Sequence, residues 1–115
     1  MNIVNLTPHN IVLQDADGVR TVIASSGVAR VASTPGALET VEGVPVPVAG
    51  RTTYGAVEGL PGPVEGTIYV VSAMVLGRPE CQGRDDVVGP GTGPKDGAIR
   101  NEDGNVIAVT RLVRG

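Results

Sequence analysis

Seventeen glycines and nine prolines interrupt this chain so often that no long helix can form in it. Between them, the apolar side chains are overwhelmingly β-branched. Twenty residues are valine and six are isoleucine, against six leucines. Such side chains are stiff at the first torsion and fit a pleated surface better than a helix. The fold class that follows is mainly β: a small antiparallel sheet or partly open barrel with at most one or two short helices. With 115 residues there is room for one core, so residues 1–115 are expected to form a single domain. Glycine and proline together approach the level of disordered chains, but the valine-rich runs offer enough apolar surface to drive folding.

The formal net charge of −3 is spread along the sequence, and Tyr54 and Tyr69 are the only aromatic residues. A nucleic-acid polymer is therefore not an expected partner, because a basic stripe with interleaved stacking aromatics is missing. No apolar stretch nears the length of a membrane span, and no basic-then-apolar leader opens the sequence. Cys81 is the only cysteine, which excludes an intramolecular disulfide and makes a cytoplasmic location the expectation.

Along the chain, Ile3 to Leu6 reads as a strand ended by the turn Thr7-Pro8-His9-Asn10. Ile11 to Leu13 and Val19 to Ile23 flank a Gly18-containing hairpin turn, and Val28 to Val31 forms a further strand. From Ser33 to Gly66 five prolines leave only edge strands or extended loop, at Val44 to Val48 and Tyr54 to Val57. Thr67 to Val71 is apolar on both faces and reads as a central strand covered on each side. Ser72 to Leu76 is either one helical turn capped by Ser72 or a continuation of that strand. Arg78 to Gly97 reads as a long loop, and Ala98 to Arg100 with Val106 to Val113 as a last hairpin.

Chemistry concentrates first in that loop, at Gly89-Pro90-Gly91-Thr92-Gly93-Pro94-Lys95-Asp96-Gly97. Glycines let backbone N–H groups converge on an anion, and Thr92 and Lys95 add a hydroxyl and a positive charge. The segment resembles half of a phosphate loop without matching the full motif; its plain alternative is a surface loop whose glycines serve turns. Arg111 is the second candidate. Alternation over Val106 to Val113 gives two apolar faces, so an arginine in that strand requires either a carboxylate (Asp85, Asp86 or Asp96) or an anionic ligand. Arg30, Arg84 and Arg100 are available to join it in a local positive site. His9, the only histidine, is either a turn residue or a ring that reads a ligand. One histidine and one cysteine cannot assemble a transition-metal site, and the acidic turns around Gly18 and Gly104 lack a calcium-loop ligand series.

Five segments carry a resemblance: Asn2-Ile3-Val4-Asn5-Leu6-Thr7-Pro8-His9, Tyr54-Gly55 with Glu58-Gly59-Leu60-Pro61, Gly66 to Met74, Gly91 to Asp96, and Val109-Thr110-Arg111. Together they resemble a group of small proteins of tailed phages and prophages with no established activity. The resemblance spans nearly the whole chain. It implies an accessory phage protein acting in the bacterial cytoplasm, where small phage proteins often inhibit or sequester host components, including nucleotide signals of immunity.

The leading expectation is a non-enzymatic protein that binds a small anionic ligand, such as a nucleotide-derived signal, with no cofactor. The candidate ligand-binding residues are Thr7, His9, Tyr54, Ser72, Arg84, Thr92, Gly93, Lys95 and Arg111, with Tyr54 or Tyr69 stacking on a base. A protein-interaction module, either an inhibitor of a host enzyme or a minor virion component, is the alternative, using sheet edges and the proline-rich middle. A small hydrolase or lyase using His9 with an aspartate is a third option. Association into a homo-oligomer is compatible with each.

Overall fold

The computed structural model describes residues Met1–Gly115. In chain order its strands are β1 (Asn2–Asn5), β2 (Ile11–Gln14), β3 (Arg20–Ile23), β4 (Arg30–Thr34), β5 (Leu38–Glu39), β6 (Val48–Ala49), β7 (Thr53–Glu58), β8 (Thr67–Val70), β9 (Val87–Pro90), β10 (Ile99–Arg100), β11 (Val106–Ala108) and β12 (Leu112–Arg114). One short helix, α1 (Ala73–Leu76), and a 3-10 turn (Pro79–Cys81) lie between β8 and β9. The fold is thus mainly β, built from several small sheets, none closed into a barrel.

Two valine pairs anchor it. Val70 and Val71, and Val87 and Val88, are each at most 5 % exposed, and adjacent residues of a strand point to opposite faces. One face gathers Val71, Val87 and Tyr69 with Leu6, Val75, Leu76 and Cys81. The other gathers Val70 and Val88 with Ile11 and Val109. Strands buried on both faces belong in the middle of a sheet covered on each side. The main sheet accordingly runs in the order β1-β8-β9-β12, with β1, β8 and β9 parallel and β12 antiparallel to β9. The smaller sheets are all antiparallel pairs. The parallel step from β8 to β9 needs a crossover, supplied by α1 and the 3-10 turn. Ser72 caps α1, its hydroxyl oxygen accepting from the Val75 N–H at 3.4 Å.

Two sequence expectations fail here for identifiable reasons. Arg78 to Gly97 is not one loop, because it contains the 3-10 turn and β9, which ends on Gly89 and Pro90. Gly89 sits there because β9 presses on α1, with the Leu76 side chain 3.0 Å from where a Cβ would be. Val106 to Val113 is not one strand either. Val109 leaves β11 to bond β2, donating to the Val12 carbonyl (2.8 Å) and accepting from the Gln14 N–H (2.9 Å). Thr110 and Arg111 then swing outward before β12 begins.

The segment from β4 to β7 is a long ribbon that leaves the body. β4 pairs with β7, and further out β5 pairs with β6, Leu38 opposite Ala49 and Glu39 opposite Val48. The molecule measures 55 × 38 × 22 Å, with a radius of gyration of 17.1 Å; a compact domain of this length has about 13 Å. At its base the arm is latched. Glu80 accepts the Val57 N–H at 2.6 Å, and the Arg78 guanidinium lies 3.6 Å from the Tyr54 ring centroid, a cation–π contact. Cys81, beside the latch, is a free thiol 1 % exposed, and burial raises its pKa.

A polar hub holds the start of the chain. Asn5 is fully buried, and its amide nitrogen donates to the carbonyls of His9 (2.8 Å) and Ile23 (3.0 Å). Its amide oxygen accepts from the Thr7 N–H at 2.9 Å and lies 2.7 Å from the Thr7 hydroxyl.

Asn5→Ala should strand buried groups at about 1–3 kcal/mol each and lower unfolding free energy in urea by roughly 3–5 kcal/mol; a loss below about 1 kcal/mol would show that the hub is dispensable. The hydrogen bond from Val57, and to a smaller extent the Arg78 charge, hold the Glu80 pKa below its ordinary value. The latch therefore contributes fully above the ordinary glutamate pKa and is lost as pH falls through the lowered one. An NMR pH titration should show the Val57 amide shift turning over below the ordinary glutamate range, and this transition should vanish in Glu80→Gln.

Candidate functional site

Three parallel strands end on one side of the sheet, and each is followed two residues later by a hydroxyl side chain: Thr7 after β1, Ser72 after β8 and Thr92 after β9. All three line a cavity of about 440 Å³. The turn after β1 adds His9 and Asn10, and β2 and β11 supply apolar walls, with Ile11, Ile107 and Val109 among them. In open α/β sheets the carboxyl edge is a common place for ligands; in this mainly β chain the same edge gathers three short, differently directed loops.

The polar groups are unequally free. The Thr7 hydroxyl is committed to the turn, lying 2.7 Å from the Asn5 amide oxygen and 2.9 Å from the His9 carbonyl. Ser72 uses its oxygen to cap α1, which leaves its proton to donate. The Thr92 hydroxyl and the His9 imidazole make no hydrogen bond to the protein, and both residues are exposed. The lining contains no Lys, Arg, Asp or Glu. A guanidinium nevertheless stands at the rim, where Arg100 donates to the Thr92 carbonyl at 3.1 Å and to the Gly104 carbonyl at 2.9 Å.

Of the nine residues singled out from the sequence, the fold brings Thr7, His9, Ser72 and Thr92 together; the other five lie outside the lining. The glycine-rich loop fills its own cradle. The Gly93 N–H donates to the Asp96 carboxylate at 2.8 Å, the Gly91 N–H to the Arg111 carbonyl at 2.9 Å, and the Asp96 N–H to the Gly93 carbonyl. A protein carboxylate thus takes the place expected for a phosphate, and Lys95 projects from an exposed turn. Arg111 is not a buried strand residue: its side chain is 58 % exposed and 3.9 Å from Asp96. Arg84 forms a bidentate pair with Asp86 (3.1 and 2.7 Å) and also donates to the Pro61 carbonyl. That hydrogen bonding raises the Arg84 pKa and lowers that of Asp86. Tyr54 is covered by Arg78 at the arm base, and Tyr69 is a core residue; neither ring is placed to stack on a ligand in this cavity.

Sequence reasoning missed the apolar walls, because Ile107 and Val109 read simply as core, and gave Arg100 only a supporting place. No group of three or more His, Cys, Asp or Glu side chains is arranged to hold a metal ion, and no helix is long and apolar enough to cross a membrane. Comparison with known proteins finds no matching family model, no matching curated protein and no matching solved structure.

Because the Arg111–Asp96 pair is exposed and long, Arg111→Ala should change unfolding free energy by less than about 1 kcal/mol. Equilibrium denaturation checks this; a loss of roughly 3–5 kcal/mol would instead mark a buried, essential pair.

Proposed function

We propose that this protein binds a small ligand, without turnover, in the cavity beyond the carboxyl ends of β1, β8 and β9. The observation that carries the reading is the convergence of Ser72, Thr92 and His9 on an apolar-walled space of about 440 Å³. Ligand pockets of this kind combine mostly apolar walls with a few placed polar groups. A heteroaromatic body fits the Ile11, Ile107 and Val109 walls, with its edge read by the Ser72 and Thr92 hydroxyls and the His9 ring. An anionic end would face Arg100 at the rim rather than the glycine-rich loop, where the Gly91, Thr92, Gly93 and Asp96 N–H groups are already occupied. That combination describes a nucleotide or nucleotide-derived signal. Binding is favoured over catalysis because the lining offers one imidazole and no carboxylate or thiol to work with it. In the phage setting suggested by the sequence resemblance, such a protein would sequester a signal of host immunity in the cytoplasm.

Thermal denaturation against mononucleotides, cyclic nucleotides and cyclic dinucleotides tests this. At about one hundred times its dissociation constant, a ligand should add roughly 2.7 kcal/mol of stability and raise Tm by about ten degrees. Thr92→Val should weaken that ligand about 3- to 10-fold, the worth of one neutral hydrogen bond, and Ala73→Phe, which fills the cavity mouth, should abolish the shift. A ligand recovered as product by chromatography would overturn the non-enzymatic reading; a panel without any shift would overturn the nucleotide class.

A further inference from the structure

The molecule exposes more surface than a compact chain of its size should. The solvent-accessible surface is 7683 Å² for a mass of 11.7 kDa; a monomeric protein of that mass exposes about 5,900 Å². The excess, roughly 1,800 Å², is larger than the share each partner contributes to a standard protein interface, about 800 Å². Between Ala32 and Ala56 every residue but Gly36 and Gly50 is exposed. Leu38 is 70 % exposed, Val46 62 %, Val48 42 % and Val41 41 %. The Glu80 and Arg78 latches hold the arm in a fixed direction from its base, so little ordering remains to be done on binding.

We infer that this arm is a dimerisation element, packing side by side and antiparallel against the arm of a second copy of the chain. Charge placement singles out this occupant. Glu39 and Glu42 lie toward the tip, and Arg51 lies toward the base, beyond the Leu38–Ala49 pair. A two-fold axis through the β5–β6 pair sets the acidic end of each arm against the basic end of the other, which is the self-complementarity an isologous contact requires. Pro35, Pro45 and Pro47 remove donors from the ribbon's edges, so contact is through side-chain faces rather than by added strand pairing. Leu38 and Ala49, directly opposite one another, share one such face.

Sedimentation equilibrium of the full chain over micromolar to millimolar concentration should show a monomer–dimer equilibrium. Arg51→Glu and Leu38→Lys, both at exposed positions, should each weaken the dimer at least about tenfold, as expected for like charges or a buried unpaired charge at an interface. Adding Glu42→Arg to Arg51→Glu should restore it to within about threefold of the parent by exchanging the two charges. Circular dichroism confirms that each variant is folded. A parent that stays monomeric throughout overturns the proposal, even if the arm captures a different protein. So does a dimer that is indifferent to both single variants.

Discussion

The side chain of Asn5 carries more of this structure than any other polar group. A buried amide is tolerable only when its donors and acceptor are satisfied, and here the partners come from two separate places: Thr7 and His9 of the turn after β1, and the end of β3. That single amide fixes where the first strand stops, how tightly Thr7 to His9 curl, and where the β2–β3 hairpin docks. Ser25 reinforces the same junction, its hydroxyl donating to the Thr7 carbonyl at 2.6 Å. The position of His9 at the cavity is therefore a by-product of structural hydrogen bonds made by its own backbone, and the imidazole is left free because the carbonyl does the anchoring.

The same economy holds at the other strand exits. Ser72 begins α1 and Thr92 follows β9, so residues needed to turn the chain also furnish the polar fringe of the cavity. The crossover that makes β8 and β9 parallel then continues through Arg78 and Glu80 to clamp the arm. One segment thus borders the cavity at its start and orients the projecting ribbon at its end. By contrast, the ionic pairs at Arg84, Arg111 and Arg114 lie on the periphery.

What could be read in advance followed from residues whose local chemistry and tertiary role agree. Thr67 to Val71 announced a two-sided central strand because every position is apolar or β-branched, whereas Ser72 to Leu76 was equally readable as a capped helical turn or as more of that strand, and the structure takes the first. The β2–β3 hairpin was legible from its turn. β9 was not, since Val87-Val88 is too short a run to outweigh Gly89 and Pro90, and only its neighbours β8 and β12 make it a strand. Arg111 misled through periodicity: alternation is meaningful only while the strand continues, and the bonds from Val109 to β2 end it. The glycine-rich loop misled through its composition, because nothing local reveals that Asp96 will turn back to fill it. The cavity was half visible. Its hydroxyls stood out as candidates, whereas its walls became walls only when β2 and β11 met across the sheet.

Placing β1 beside β8 also sets an order of events during folding. Asn2 pairs with Thr67 and Asn5 with Val70, so the first strand finds its partner only after the arm and everything before Thr67 has been made. Closing a loop of that length forfeits chain entropy before any contact rewards it, and sheets with such distant pairings fold slowly. Until then the apolar side chains Ile3, Val4 and Leu6 have no sheet to join. The β2–β3 hairpin and the β4–β7 ribbon, by contrast, join segments much nearer in sequence and can form first. Within the central sheet the burden falls on β1 alone, because β8, β9 and β12 pair across separations like that of the ribbon and can assemble without it.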